Sequence, residues 1–144
     1  MVWMTVIFIG STDVLSAEHT SRFLVPFLRW LDPQISLATI ASINAVMRKF
    51  GHFFEYAILS ALLWRALRAT LRSSFNVRPA AVALVISALF AASDEFHQSF
   101  VPSRTPSGND VLIDICGAGV AVAVCQLVRR RSSAEPGANL QSKI

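Results

Sequence analysis

Arg48, Lys49, His52, Glu55 and Tyr56 stand together in the stretch RKFGHFFEY, and the last three repeat at i, i+3 and i+4. On a helix that spacing puts their side chains on one face, about 5–6 Å apart, close enough to share a hydrogen-bond network. A second group closes an apolar run: Ser93, Asp94, Glu95, His97 and Gln98, with Asp94 and Gln98 one turn apart, His97 beside them and Glu95 rotated away. A third, Asp110 and Asp114, repeats at one turn where another apolar run begins. Carboxyls and an imidazole in such company suit general acid and base chemistry, which needs groups whose environments set their proton affinities apart. His52, Glu55, Asp94 and Glu95 are therefore the candidate catalytic groups. The same ends could instead hold an anionic headgroup or a lipid-linked phosphate. Lys49, Arg48 and Arg104 are the cations for that role, arginine being suited to bidentate contact, while Tyr56 and Phe100 supply apolar surface. Gln98, Asp110 and Asp114 complete the candidate binding set.

Each polar group has a plainer reading. Asp110 stands where a helix N-cap belongs, and capping is the simplest role for it. Asp114 lies a turn inside an apolar helix and is followed by Gly117 and Gly119, which permit close helix approach, so it points into a bundle. His52, Lys49 and Arg104 are its candidate partners. The whole set could also be an interhelical network that staples helices together. Carboxylates with His52 or His97 could hold a divalent metal, but no recognised ligand spacing is present, and neither a metal nor another cofactor is expected. The chain shows no nucleophile motif, phosphate loop, zinc spacing or internal repeat.

The elements that must position these groups are apolar. Residues 80–92 carry no charge, and they run directly into Asp94 and Glu95. Over 144 residues, 53% are hydrophobic and only 15% charged, against about 25% charged in ordinary soluble domains. Mean hydropathy is +0.52. These values predict an all-α, small polytopic membrane bundle, since only internally bonded backbone is tolerated in lipid. A hydrocarbon layer about 30 Å thick asks for about 20 residues per helix. Three full spans are expected, at 50–67, 79–98 and 111–128. The net charge of +4 does not indicate nucleic acid, because the basic residues cluster between apolar runs instead of covering a polar face. Arg65, Arg68, Arg72 and Arg78 flank one link, and Arg129, Arg130 and Arg131 follow the last run, the pattern of cytoplasmic segments. That arrangement sends the polar ends and the loop 99–109 outward, to the cell-envelope side, and the C-terminus to the cytosol.

The remaining segments are less regular. VWMTVIFIG supplies about half a span and lacks a signal peptide's positive start, so it is expected to be the outer half of a first helix whose earlier residues are missing. Between Ser16 and Met47, Phe23, Phe27, Trp30 and Leu31 recur at helical spacing beside Arg22, Arg29 and Asp32. This predicts an interfacial amphipathic helix that Pro26 and Pro33 bend or stop. A helix beginning after Pro33 is expected to continue into the span at 50–67. One membrane domain is expected over 1–128, with a basic, disordered cytoplasmic tail over 129–144. Cys116 and Cys125, nine positions apart on one helix, are too distant for a disulfide.

Two stretches, RKFGHFFEYAILSALLWRAL and SDEFHQSFVPSRTPSGNDVLIDICGAG, resemble the VanZ-like family of small bacterial membrane proteins. The second is the more specific, since Asp-Glu, Gln, Pro, Arg, Ser and two spaced Asp fall in the family's order. With the WMTVIFIGST start, the resemblance covers most of the chain to Gly119. The matched polar positions are Lys49, His52, Glu55 and Tyr56, then Asp94, Glu95, Gln98, Pro102 and Arg104, then Ser107, Asp110 and Asp114. Ser103 stands where a glycine commonly precedes the arginine. The resemblance implies a cytoplasmic-membrane location and a link to resistance against the glycopeptide teicoplanin, and it attaches no firm biochemical activity.

Three readings follow. The favoured one is a protein whose outward polar pocket engages a cell-envelope lipid or wall precursor. The alternative is a membrane-embedded acid/base hydrolase or transferase acting on a lipid or envelope substrate. The third, ion- or proton-coupled transport, is disfavoured because nothing ionisable lies between Tyr56 and Arg65 or between Pro79 and Ser93. Such a path would need oligomerisation, on which the sequence is silent.

Overall fold

A computed structural model describes residues 2–10, 17–71, 77–101 and 107–134. They form five helices: α1 (Val2–Gly10), α2 (Ala17–Leu31), α3 (Leu37–Leu71), α4 (Val77–Gln98) and α5 (Gly108–Ala134). No strand occurs among the described residues. The all-helical expectation holds, and α3 does run unbroken from just beyond Pro33 into the polar stretch.

Local chemistry sets the ends. Ser36 caps α3: its Oγ accepts from the Thr39 N–H at 3.1 Å, satisfying one of the donors a helix start leaves unpaired. Asp32 turns the chain before it, Oδ1 accepting from the Gln34 N–H at 3.0 Å. Pro26 lies inside α2 without ending it; the helix stops at Leu31, two residues ahead of Pro33. Pro79 sits in the first turn of α4, where its missing N–H leaves no intrahelical bond unmade.

The apolar face foreseen for α2 is present, with Phe23, Phe27, Trp30 and Leu31 all exposed. The helix is strapped along the start of α3, Asn44 Nδ2 donating to Ser21 Oγ at 3.0 Å. Helix α5 continues through Arg129, Arg130 and Arg131 to Ala134, so the expected start of a disordered tail at 129 is too early. Charged residues with long aliphatic stems do not break a helix already under way. Residues 135–144 lie outside those described.

Two apolar clusters make up the interior, the first joining α1, α3 and α4 and the second α3, α4 and α5. Ile7, Tyr56, Leu59 and Ala91 form one; Trp64, Ala80, Ala83 and Val122 form the other. Cys125 packs beside the second, while Cys116 is exposed; both thiols are free. Two helices, Arg78–Gln98 and Gly108–Ser132, are long and apolar enough to cross a membrane. Helix α3 fails that composition test, and the expected third span is not established by length and hydropathy.

Candidate functional site

Helices α3 and α5 run parallel and meet at Gly117, where a β-carbon would lie 2.2 Å from the Phe53 carbonyl oxygen. Only glycine fits, and the approach it allows draws the polar faces of both helices together. Gly119 has nothing within 4 Å of its β position and plays no such part.

Above this crossing lie two rungs, one turn apart on each helix. Arg48 donates through a guanidinium nitrogen to Asp110 Oδ2 at 3.2 Å, and His52 Nδ1 lies 3.3 Å from Asp114 Oδ1. Both aspartates are 1% exposed. Of the three partners weighed for Asp114, His52 is the one found. Lys49 is exposed, and Arg104 lies outside the described residues.

Asp110 is not the N-cap. Helix α5 begins at Gly108, which puts Ser107 at the cap and Asp110 in the first turn, its N–H donating to the Ser107 carbonyl at 2.8 Å. The third helical residue often reaches back to the cap N–H. Here Glu95 of α4 takes that N–H instead, its Oε1 accepting from Ser107, and Asp110 is left to receive Arg48. Glu95 is therefore turned into the site, contrary to the expectation that it rotates away. The returning chain at Ser107 comes to it.

From α4, Asp94 and Gln98 are both buried, and the Gln98 amide donates to Asp94 Oδ2 at 3.0 Å. Asp114 interacts electrostatically with Asp94 and Asp110, and Glu95 with His52, Asp110 and Asp114, so three helices contribute to one layer. Tyr56 forms its floor. Its ring lies 6.2 Å from Phe90, and its side chain is fully buried. Glu55, on the flank, is half-buried, and its main-chain carbonyl accepts from the Trp3 indole at 2.9 Å. Phe8 packs on His97 with ring centroids 4.6 Å apart. Helix α1 thus walls one side, which the sequence reading missed; two aromatics on a short apolar helix are too common a pattern to signal it.

Among the described residues, Asp110 Oδ1, the Tyr56 hydroxyl and His97 Nδ1 are buried without a hydrogen-bond partner. Such groups are rare in native proteins. The layer can bind a polar headgroup or move a proton. Among the described residues no group of three or more His, Cys, Asp or Glu is arranged to hold a metal ion.

Neither the curated proteins nor the solved structures contain a match to the chain. The model of the family described as VanZ/LLP1 matches residues 1–129, which include every helix contributing to the polar layer. With that match, and with apolar helices long enough for a bilayer, the chain belongs to the VanZ/LLP1 family of proteins.

Proposed function

We propose that this is a three-span protein of the bacterial cytoplasmic membrane whose outward polar site engages a lipid-linked or cell-wall ligand. The observation that carries the reading is the meeting of half-buried Arg48 with the buried His52, Asp94, Asp110 and Asp114 from three helices. Ionisable groups near bilayer depth are costly and mark functional positions. Arg48 keeps its buried Nε donor unmatched, and exposed Lys49 is the next residue in the chain, two cations of the kind that suit a phosphate.

The exposed face of α3 supports a third span. Phe50, Phe54, Ile58 and Leu62 recur every four residues and are 60%, 58%, 41% and 49% exposed, a continuous stripe fit for lipid. The charges that lower its average hydropathy include Arg48 and His52, which turn inward to α5. Orientation rests on charge. Arg65, Arg68, Arg78 and Arg129 to Arg131 gather at the end opposite the site, which favours a cytoplasmic position for them and for the C-terminus. Helix α2, with its aromatic stripe, is read as lying at headgroup depth.

The test is binding of a fluorescent anionic phospholipid and of a lipid-linked wall precursor to purified protein in nanodiscs. Lys49→Ala and Arg104→Ala should each weaken the preferred ligand by about tenfold or more, the worth of one charge-assisted hydrogen bond. Unchanged affinity in both overturns the reading. A growth assay with teicoplanin, comparing wild type with Asp94→Asn and His52→Ala at matched expression, tests the resistance that the resemblance implies.

A second reading, a membrane-embedded hydrolase or transferase, is favoured by one observation: the imidazole–carboxylate contact of His52 and Asp114 is the arrangement that orients a general base. Turnover of a labelled envelope lipid, lost in His52→Gln and in Asp114→Asn, is its signature. Binding without turnover rejects it.

A further inference from the structure

Among the described residues, six cations gather at the end of the bundle away from the polar site, and all six are arginine: Arg65 and Arg68 on α3, Arg78 on α4, and Arg129, Arg130 and Arg131 on α5. The three helices bring them to one level. Trp64, Ala80 and Val122 meet in one buried cluster with Cys125 packed against it; Arg68 is one turn beyond Trp64, Arg78 two residues before Ala80, and Arg129 one turn beyond Cys125. Arg65, Arg78, Arg130 and Arg131 are exposed. No acidic residue stands beyond Glu55 on α3, before Asp94 on α4 or beyond Asp114 on α5.

Membrane topology accounts for positive charge at this end, but lysine serves that purpose as well as arginine. The helix dipole accounts for part of the rest. Arg68 and Arg131 lie in the last turns of α3 and α5, where the negative pole favours a cation. Arg78 is the exception, for it lies in the first turn of α4, at the positive pole, where a cation is disfavoured. Like charges crowded on neighbouring helix ends repel one another, and an anion from outside relieves that repulsion. Arginine is the cation whose planar fork meets a phosphate through two N–H donors at once. Arg68 is steadied in place by Trp64, its guanidinium lying over the ring at 4.8 Å from the centre.

We propose that this arginine end is a binding surface for anionic phospholipids, held by their phosphates. Charge complementarity calls for an anion, and the neighbouring side chains decide which kind. Leu62 on α3, Val82 on α4, and Leu127 and Val128 on α5 are exposed and lie within about one turn of the arginines. A lipid offers both halves of the match, a phosphate for the guanidinium and an acyl chain for the apolar side chains; a soluble polyanion offers only the first. The surface is separate from the outward site. It requires a membrane location alone, and it holds whatever that site binds and whichever leaflet the arginines face.

The experiment uses the full chain in nonionic detergent micelles, with Trp3→Phe and Trp30→Phe so that Trp64 is the one remaining indole. Energy transfer from Trp64 to a dansyl-labelled anionic phospholipid then reports lipid at the arginine end. Unlabelled phosphatidylglycerol should displace the label at a concentration at least about fivefold lower than phosphatidylcholine, the factor attached to one arginine at a lipid surface. Arg78→Gln should weaken the anionic lipid by about fivefold, and Arg65→Gln, Arg78→Gln and Arg130→Gln combined should weaken it further. Equal displacement by the two lipids overturns the proposal without recourse to any arginine variant. So does unchanged affinity in the combined variant, which would leave the arginines as topology signals. Displacement by polyglutamate as effective as by phosphatidylglycerol also overturns it, since the surface would then suit an acidic macromolecule.

Discussion

The Phe53 carbonyl and Gly117 are in such close approach that a single methyl group on the glycine would lie 2.2 Å from the oxygen. The crossing sits just below the His52–Asp114 and Arg48–Asp110 rungs and sets the distance across both. A backbone oxygen cannot move aside as a flexible side chain would, so α3 and α5 must separate if the glycine is replaced.

Gly117→Ala is therefore expected to destabilise the protein by about 1–3 kcal/mol, the usual cost of overpacking. Gly119→Ala, with open space at its β position, should instead stabilise by about 0.5–1 kcal/mol through helix propensity. Thermal melting of both variants in the same detergent decides the matter; equal shifts would show that the crossing is not close.

His52 and Asp114 should be coupled. In a double-mutant cycle with His52→Ala and Asp114→Ala, the loss in the double variant is expected to fall short of the summed single losses by about 0.5–3 kcal/mol. Additive losses would mean that the 3.3 Å contact contributes nothing.

The Glu95–Ser107 bond ties the α4–α5 connection to the polar layer. Glu95→Ala should cost about 1 kcal/mol and speed proteolysis between residues 99 and 107, whereas Glu95→Gln, which keeps an acceptor oxygen, should resist cleavage nearly as well as wild type. Identical cleavage rates in all three would refute the tie.

Topology can be read by thiol labelling. On a background of Cys116→Ser and Cys125→Ser, a cysteine at position 107 should react with a membrane-impermeant maleimide added to intact cells, and one at position 132 only after lysis. Labelling of both in intact cells contradicts the three-span orientation.

Much of this was legible in the residues themselves. Four-residue spacing placed His52 with Tyr56 and Asp110 with Asp114 on shared faces, and the polar ends pointed to one layer because each apolar run carried its acids and histidines at a single end. Which acid meets which base was not legible: Asp114 had three candidate partners, and the choice of His52 follows from the parallel register that Gly117 permits. Glu95 was misjudged because helix rotation alone ignores what the start of a following helix brings, and Ser107, at the cap of α5, brings its N–H to Glu95. Helix α3 shows the limit of averaging hydropathy, since inward charges and an exposed apolar face cancel in the mean while remaining separate in space.

Helix α1 touches the polar layer through Trp3 on the Glu55 carbonyl and Phe8 on His97. A fluorescent or affinity reporter joined ahead of Val2 would tug on those two aromatics and disturb the very behaviour it was meant to monitor. One joined beyond residue 134 hangs from the far end of α5, a rod of 27 residues or about 40 Å, and leaves them alone.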